Sequence, residues 1–259
     1  MYENAFSSPS LVTNIKNNLP KYTGSDLIAH RCKNAFILGI TGSYAYGTNT
    51  DTSDIDLRGI LPETPDELLG MYPSDTYTNN KCTDITLHPF RKAVSLLMKG
   101  NPTMLELLAL PTDHYVYISN EGKELIKHGP TLFLSQKIIS PYKGCIYSHK
   151  KKADKYISEH DMNKANKYRA HIIRMYITAI TALNSGELIV RLPKKELAVV
   201  QKIRFGKSNV EYDNIEEYYE NLFNLACKRT HLPESVSFEA VNNFVKEINY
   251  KILDNYYKE

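Results

Sequence analysis

The stretch Gly42-Ser43-Tyr44-Ala45-Tyr46-Gly47, followed by Ser53-Asp54-Ile55-Asp56-Leu57, decides how this chain is read. Upstream, Ala35 to Thr41 (Ala-Phe-Ile-Leu-Gly-Ile-Thr) is a short, largely apolar run that ends at a glycine turn, the pattern of a buried strand. Gly42 lets the backbone approach a ligand closely. In Asp54-Ile55-Asp56-Leu57, charged and apolar residues alternate with period two. A strand there carries both carboxylates on one face and turns Ile55 and Leu57 to the core.

Two neighbouring carboxylates repel unless a cation lies between them. A hard divalent ion such as Mg²⁺ or Mn²⁺ suits them, because it takes oxygen ligands and fills its remaining positions with water and substrate phosphates. Ser43 and the backbone N–H groups of the Gly42-Ser43 turn supply donors for those phosphates. The expected chemistry is therefore metal-dependent reaction of a nucleoside triphosphate such as ATP.

The order of Gly42-Ser43, a ten-residue gap and Asp54-x-Asp56 resembles the signature of the DNA polymerase beta-type nucleotidyltransferase superfamily. The longer string through Asp56-Leu57-Arg58-Gly59-Ile60 is similar to predicted nucleotidyltransferases associated with RNA-ligase repair operons and phages. Lys99-Gly100-Asn101-Pro102-Thr103-Met104-Leu105-Glu106-Leu107-Leu108 and Lys167-Tyr168-Arg169-Ala170-His171-Ile172-Ile173-Arg174 resemble two later segments of that branch. From about Leu192 onward the resemblance ends. It implies an α+β fold, with a polymerase beta-like mixed sheet and helices followed by a mostly helical C-terminal part. It also implies a third acid on a later strand.

Asp84-Ile85-Thr86-Leu87 alternates polar and apolar residues and ends at His88-Pro89, where a helix is expected to begin. If this strand pairs with the one carrying Asp54 and Asp56, Asp84 stands beside them. The resemblance then makes it the third metal-binding carboxylate, the one that activates the attacking hydroxyl. Asp66 and Asp75, among prolines in expected loops, are the competing assignments.

Net charge is only +3, but its distribution is uneven. Between Lys143 and Arg174 nine Lys or Arg residues face three acids, so the remainder of the chain is net negative. Such a concentration suits a triphosphate or a polynucleotide backbone, with a solvated basic helix as the plainer alternative. Lys167, His171 and Arg174 recur at i, i+4 and i+7, a basic stripe beside the apolar face of one helix. Lys167 and Arg174 are expected to contact triphosphate oxygens, and His171 to pack or touch ligand. Lys150, Lys151 and Lys152 are expected to face solvent or a polynucleotide.

At 259 residues the chain holds one large or two modest domains. No apolar run reaches membrane-spanning length, and Met1 to Pro9 lack the pattern of a secretory signal. The expected location is the cytoplasm, or the host cytoplasm for a viral protein, with no membrane and no obligate protein partner. Cys32, Cys82, Cys145 and Cys227 have no metal-like spacing and read as reduced packing residues. The tyrosines are scattered, and the adjacent pairs Tyr218-Tyr219 and Tyr256-Tyr257 make no stacking platform on a helix.

A helix is expected over Phe90 to Lys99, ending at Gly100, with Asn101 capping another that opens on Pro102. Val116 to Ile118 reads as a further strand. Helical periods then cover Tyr147 to Ser158, Lys164 to Asn184, Glu216 to Lys228 and Phe238 to Tyr257. The expected division is a catalytic domain over residues 1–134 and a helical domain over residues 135–259 that adds phosphate or nucleic-acid contacts.

The expected activity is transfer of a nucleoside monophosphate from a triphosphate to a hydroxyl, an RNA end being one acceptor, with release of pyrophosphate. Two alternatives stand beside it: a nucleotide-binding regulatory protein of weak activity, and a transferase acting on a protein or small molecule.

Overall fold

The computed structural model describes residues 8–81, 83–208 and 211–258. Cys82 and Met1 to Ser7, on which two of the expectations rested, lie outside them.

Three short helices, α1 (Ser8–Asn17), α2 (Leu19–Thr23) and α3 (Asp26–Lys33), lead into strand β1 (Ile37–Thr41). One helical turn, α4 (Gly42–Tyr46), and a loop connect it to β2 (Asp56–Leu61). Then come α5 (Pro65–Leu69), β3 (Tyr77–Asn79), β4 (Asp84–Pro89), α6 (Phe90–Met98), α7 (Pro102–Leu107) and β5 (Tyr115–Ile118). Six helices complete the described chain: α8 (Asn120–Phe133), α9 (Ile139–Ser158), α10 (Met162–Ser185), α11 (Lys194–Arg204), α12 (Tyr212–Arg229) and α13 (Phe238–Lys258). The fold is α+β.

The sheet is mixed, in the order β3-β4-β2-β1-β5, and β2–β4 is its parallel pair. Period-two alternation sorts its residues between two cores. Leu38, Ile40, Leu57, Ile85 and Leu87 face a smaller core closed by Ile15, Leu19 and Cys32 from the N-terminal helices. Ile37 and Ile60 face a larger core built with Phe90, Phe133 and the helices after residue 134, including Ile173 and Phe223. Toward its site end, that second face changes from apolar to polar, with Thr41, Asp56, Arg58, Asp84 and Thr86 in place of aliphatic side chains.

Helix α6 ends as its sequence requires. Gly100 has φ +70°, and a Cβ there would run into the backbone of Ile138. Asn101 caps α7 by accepting from the Met104 N–H at 3.1 Å, with Pro102 in the first turn. Helix α9 begins at Ile139 rather than Tyr147, because Pro141 sits in the first turn, where its missing N–H has no helical partner to lose.

The two halves of the chain are tied together by a buried charge cluster. Glu106 of α7 accepts from Arg174 Nη1 of α10 at 2.7 Å through Oε1, and from the Tyr46 hydroxyl of α4 at 2.7 Å through Oε2. The Arg174 guanidinium carbon also lies 3.6 Å from the centre of the Tyr46 ring. Both charged side chains are under one-tenth exposed. Their mutual attraction holds the Arg174 pKa above its ordinary value against the opposing effect of burial.

Breaking such a pair leaves an uncompensated buried charge, so Arg174→Met is expected to destabilise the protein by about 3–5 kcal/mol. Adding Glu106→Leu to that variant removes the orphaned carboxylate and should restore a large part of the loss. A denaturant-unfolding cycle over the four proteins checks this, with non-additivity as the expected sign.

Candidate active site

The polar end of the sheet, the α4 turn and helices α9, α10 and α11 enclose a cavity of about 380 Å³. Its wall includes Gly42, Ser43, Asp54, Asp56, Asp84, Lys167 and Arg174, every residue singled out from the sequence for catalysis or nucleotide binding. Asp66 lies in α5 and Asp75 in an exposed loop, and neither lines it.

Strand pairing sets the carboxylates. The parallel register puts Asp56 opposite Asp84, and the antiparallel one puts Thr41 opposite Asp56. Asp54 lies in the loop before the start of β2 rather than on the strand itself. Asp54 is exposed, Asp56 half-buried, and the Asp84 side chain half-exposed. Gly42 has φ +65°, and a Cβ on it would overlap the Asp56 carboxylate, so only glycine lets the α4 turn sit against that group.

Burial raises the Asp56 pKa, as do the negative charges of Asp84 and Asp54, while Arg58 and Lys167 lower it. Asp56 is thus a carboxylate short of positive charge. The set fits a hard divalent cation: three acids at one strand end, one of them electrostatically unsatisfied, beside a backbone cradle that a Cβ would fill. Among the described residues, no three His, Cys, Asp or Glu side chains already converge in ligand geometry. Arg58 engages Asp84: its Nη1 and Nη2 donate to Asp84 Oδ1 and Oδ2, each at 3.1 Å, and Nη1 also reaches the Asp84 carbonyl at 2.9 Å.

Arg58 was not among the residues expected to act. Its signal was present in the alternation, since Asp56-Leu57-Arg58 puts it on the face of the carboxylates.

The opposite wall is aromatic and basic. Lys167 is exposed at the cavity, whereas Arg174 lines it with its guanidinium already engaged by Glu106 and Tyr46. His171 packs edge-on to Tyr46, and burial with the adjacent Arg174, His149 and Lys167 keeps it well below the ordinary histidine pKa. His149 donates from Nδ1 to the Cys145 carbonyl at 2.8 Å, which leaves Nε2 as an acceptor. Burial lowers its pKa as well. Gln201 of α11 donates to the Gly47 carbonyl at 2.8 Å and fixes the far end of the α4 turn.

Lysines 150 to 152 do not act as one patch. Lys150 turns inward to an ion pair with Glu216 and to Glu220, at 3.2 Å, on α12. Lys151 and Lys152 remain exposed.

The sequence profile of RlaP, the RNA repair pathway DNA polymerase beta family, matches residues 34–246. The curated proteins contain no match to the chain. Among solved structures it is similar to a nucleotidyltransferase-like protein from Exiguobacterium sibiricum, at 9% identity and a TM-score of 0.29, over 84% of this chain and 74% of that one. The family match spans the sheet, the α4 turn and most of the helical half, so the chain belongs to the RNA repair pathway DNA polymerase beta family and is a nucleotidyltransferase.

Proposed function

We propose that this nucleotidyltransferase moves a nucleoside monophosphate from a triphosphate to a hydroxyl at an RNA end, with a divalent cation bound. The observation that carries the proposal is the meeting, in one cavity, of the Gly42-Ser43 turn, the Asp54, Asp56 and Asp84 carboxylates and Lys167. The acceptor oxygen attacks the α-phosphorus, the bond from that phosphorus to the β-phosphate oxygen breaks, and pyrophosphate leaves.

Asp54, Asp56 and Asp84 are the residues that would hold Mg²⁺ or Mn²⁺, which supplies charge neutralisation to the attacking and leaving oxygens when bound. The Ser43 hydroxyl and the amides of the α4 turn donate to the outer phosphate oxygens, and Lys167 adds a positive charge beside them. Asp84 accepts the proton of the attacking hydroxyl, which requires Arg58 to yield part of its hold on Oδ1 or Oδ2. Arg174 acts from behind, keeping Tyr46 and hence the α4 turn in place through Glu106. In the same proposal, residues 1–134 carry the transfer chemistry, and residues 135–259 supply phosphate and nucleic-acid contacts. The location assigned to this activity is the cytoplasm.

Asp56→Asn and Asp54→Asn are each expected to lower transfer of labelled nucleotide at least about a hundredfold, because loss of groups merely supporting a metal ligand already costs up to that much. Stability should move the other way for Asp56. Its raised pKa means that the folded state binds the proton more tightly than the unfolded one, so the ionised carboxylate destabilises the fold at neutral pH. That penalty fades as pH falls through the raised value toward the ordinary carboxylate range. Without divalent ions, Asp56→Asn should therefore melt above wild type at neutral pH, with the difference vanishing in acid. Thermal melts at both pH values check this; an Asn variant that melts lower at neutral pH contradicts it.

Ser43→Ala should raise the triphosphate KM about tenfold with kcat little changed, as expected for one lost hydrogen bond to a charged group in the ground state. Steady-state kinetics over a range of triphosphate concentrations separates this from a loss confined to kcat.

A further inference from the structure

Helices α9 and α10, joined through Glu159, His160 and Asp161, bring together rings that are far apart in sequence. Tyr156 and Tyr168 stack with planes 5° apart and centroids 5.6 Å apart. Tyr168 lies 5.6 Å from His149, His149 lies 5.7 Å from His171, and His171 lies 5.6 Å from Tyr46. Five rings thus run without a break from the outer end of the helix pair to the α4 turn. The last three of them line the cavity.

Lysines flank the outer part of this line. Lys152 Nζ is 5.5 Å from the centre of the Tyr168 ring, and Lys164 and Lys155 are 5.2 and 5.8 Å from that of Tyr156. Lys164 and Lys155 also pair with Asp161 and Glu159, at 3.0 and 3.7 Å. Lys152 and Lys167 have no carboxylate partner among the described residues and are exposed, whereas Lys151 sits over the Tyr147 ring, off this line. Burial keeps both histidines below the ordinary histidine pKa, so neither adds a positive charge at neutral pH.

We propose that this line is the track of a single-stranded polynucleotide acceptor, with terminal bases against Tyr168 and Tyr156, phosphates beside Lys152 and Lys167, and the terminal hydroxyl in the cavity. Aromatic faces alternating with lysines match the alternation of bases and phosphates in an unpaired strand. A duplex keeps its bases stacked inside and has no unpaired base to lay on the half-buried Tyr156 and Tyr168 rings. An acidic peptide would require only the charges. The proposal rests on the nucleotidyltransferase reading for what happens in the cavity, but the binding it describes needs neither triphosphate nor metal.

The test is anisotropy of a fluorescently labelled single-stranded oligoribonucleotide, without triphosphate or divalent ion, using the full chain carrying Asp56→Asn. Tyr156→Ala and Tyr168→Ala should each weaken binding about tenfold, as loss of one stacked base does, while Tyr156→Phe and Tyr168→Phe bind like the parent. Thermal melts of the Ala and Phe variants separate lost stacking from lost folding. Lys152→Gln should reduce the slope of log affinity against log salt by about 0.7. Lys150→Gln should leave that slope unchanged, since its charge is spent on Glu216 and Glu220. Binding of a duplex of the same sequence as tightly as the single strand, or Ala variants that fold and bind like the parent, overturns the track. Neither result bears on transfer itself: an Asp56→Asn protein that still transfers nucleotide defeats the catalytic reading while leaving the track intact.

Discussion

A single carboxylate, Glu106, sits where three parts of the chain must agree. It is buried, so its charge requires compensation, and the compensation comes from Arg174 on α10 and the Tyr46 hydroxyl on α4. Tyr46 belongs to the turn that lies against Asp56, Glu106 to the segment that follows α6, and Arg174 to the long central helix of the second half. If any of the three shifted, an ionised group would be left in a low-dielectric interior. That one charge therefore ties the α4 turn, at the polar end of the sheet, to α10 on the facing wall of the cavity.

The carboxylate face presents the opposite situation. Asp54, Asp56 and Asp84 are gathered with Asp56 half-buried, and the nearby Arg58, which hydrogen-bonds Asp84, does not offset that burial. A fold optimised for stability would place an amide or an aliphatic side chain at Asp56. Strain of this kind is retained where a ligand relieves it, which is why the electrostatic imbalance of Asp56 and the cradle of Gly42 belong to one account. Arg58 gives the face a resting partner, so that Asp84 is not left bare when nothing is bound.

The helical half supplies the other side of the site through packing rather than through charge alone. Lysines 150 to 152 are adjacent in sequence, but on α9 they point in different directions, so α12 takes up Lys150 while Lys151 and Lys152 stay in solvent. The Tyr156–Tyr168 stack forms because α9 and α10 lie along each other. What reads as a uniform basic run in one dimension becomes an inward brace and an outward edge with rings set into it.

The α+β class, the strand over Ile37 to Thr41, the strand opening on Asp84 and the Gly100 and Asn101 boundaries were legible because each rests on local rules: period-two alternation, a left-handed glycine, a side-chain cap. The nearness of Gly42-Ser43 to Asp54 and Asp56 follows from close sequence spacing, whereas Asp84 meets Asp56 through the parallel pairing of β2 with β4. Helix α8 was not anticipated, and it contains Gly122, Gly129 and Pro130, residue types that local propensity disfavours inside a helix. It survives because Gly122 admits the Phe36 carbonyl, and Gly129 the Leu108 side chain, at close range. The grip of Arg58 on Asp84, the ion pair that absorbs Arg174, the inward turn of Lys150 and the line of five rings were decided by tertiary structure alone. Each depends on which partner arrives across the sheet or from a neighbouring helix. A charge or a ring carries no record in sequence of the long-range contact that will satisfy it.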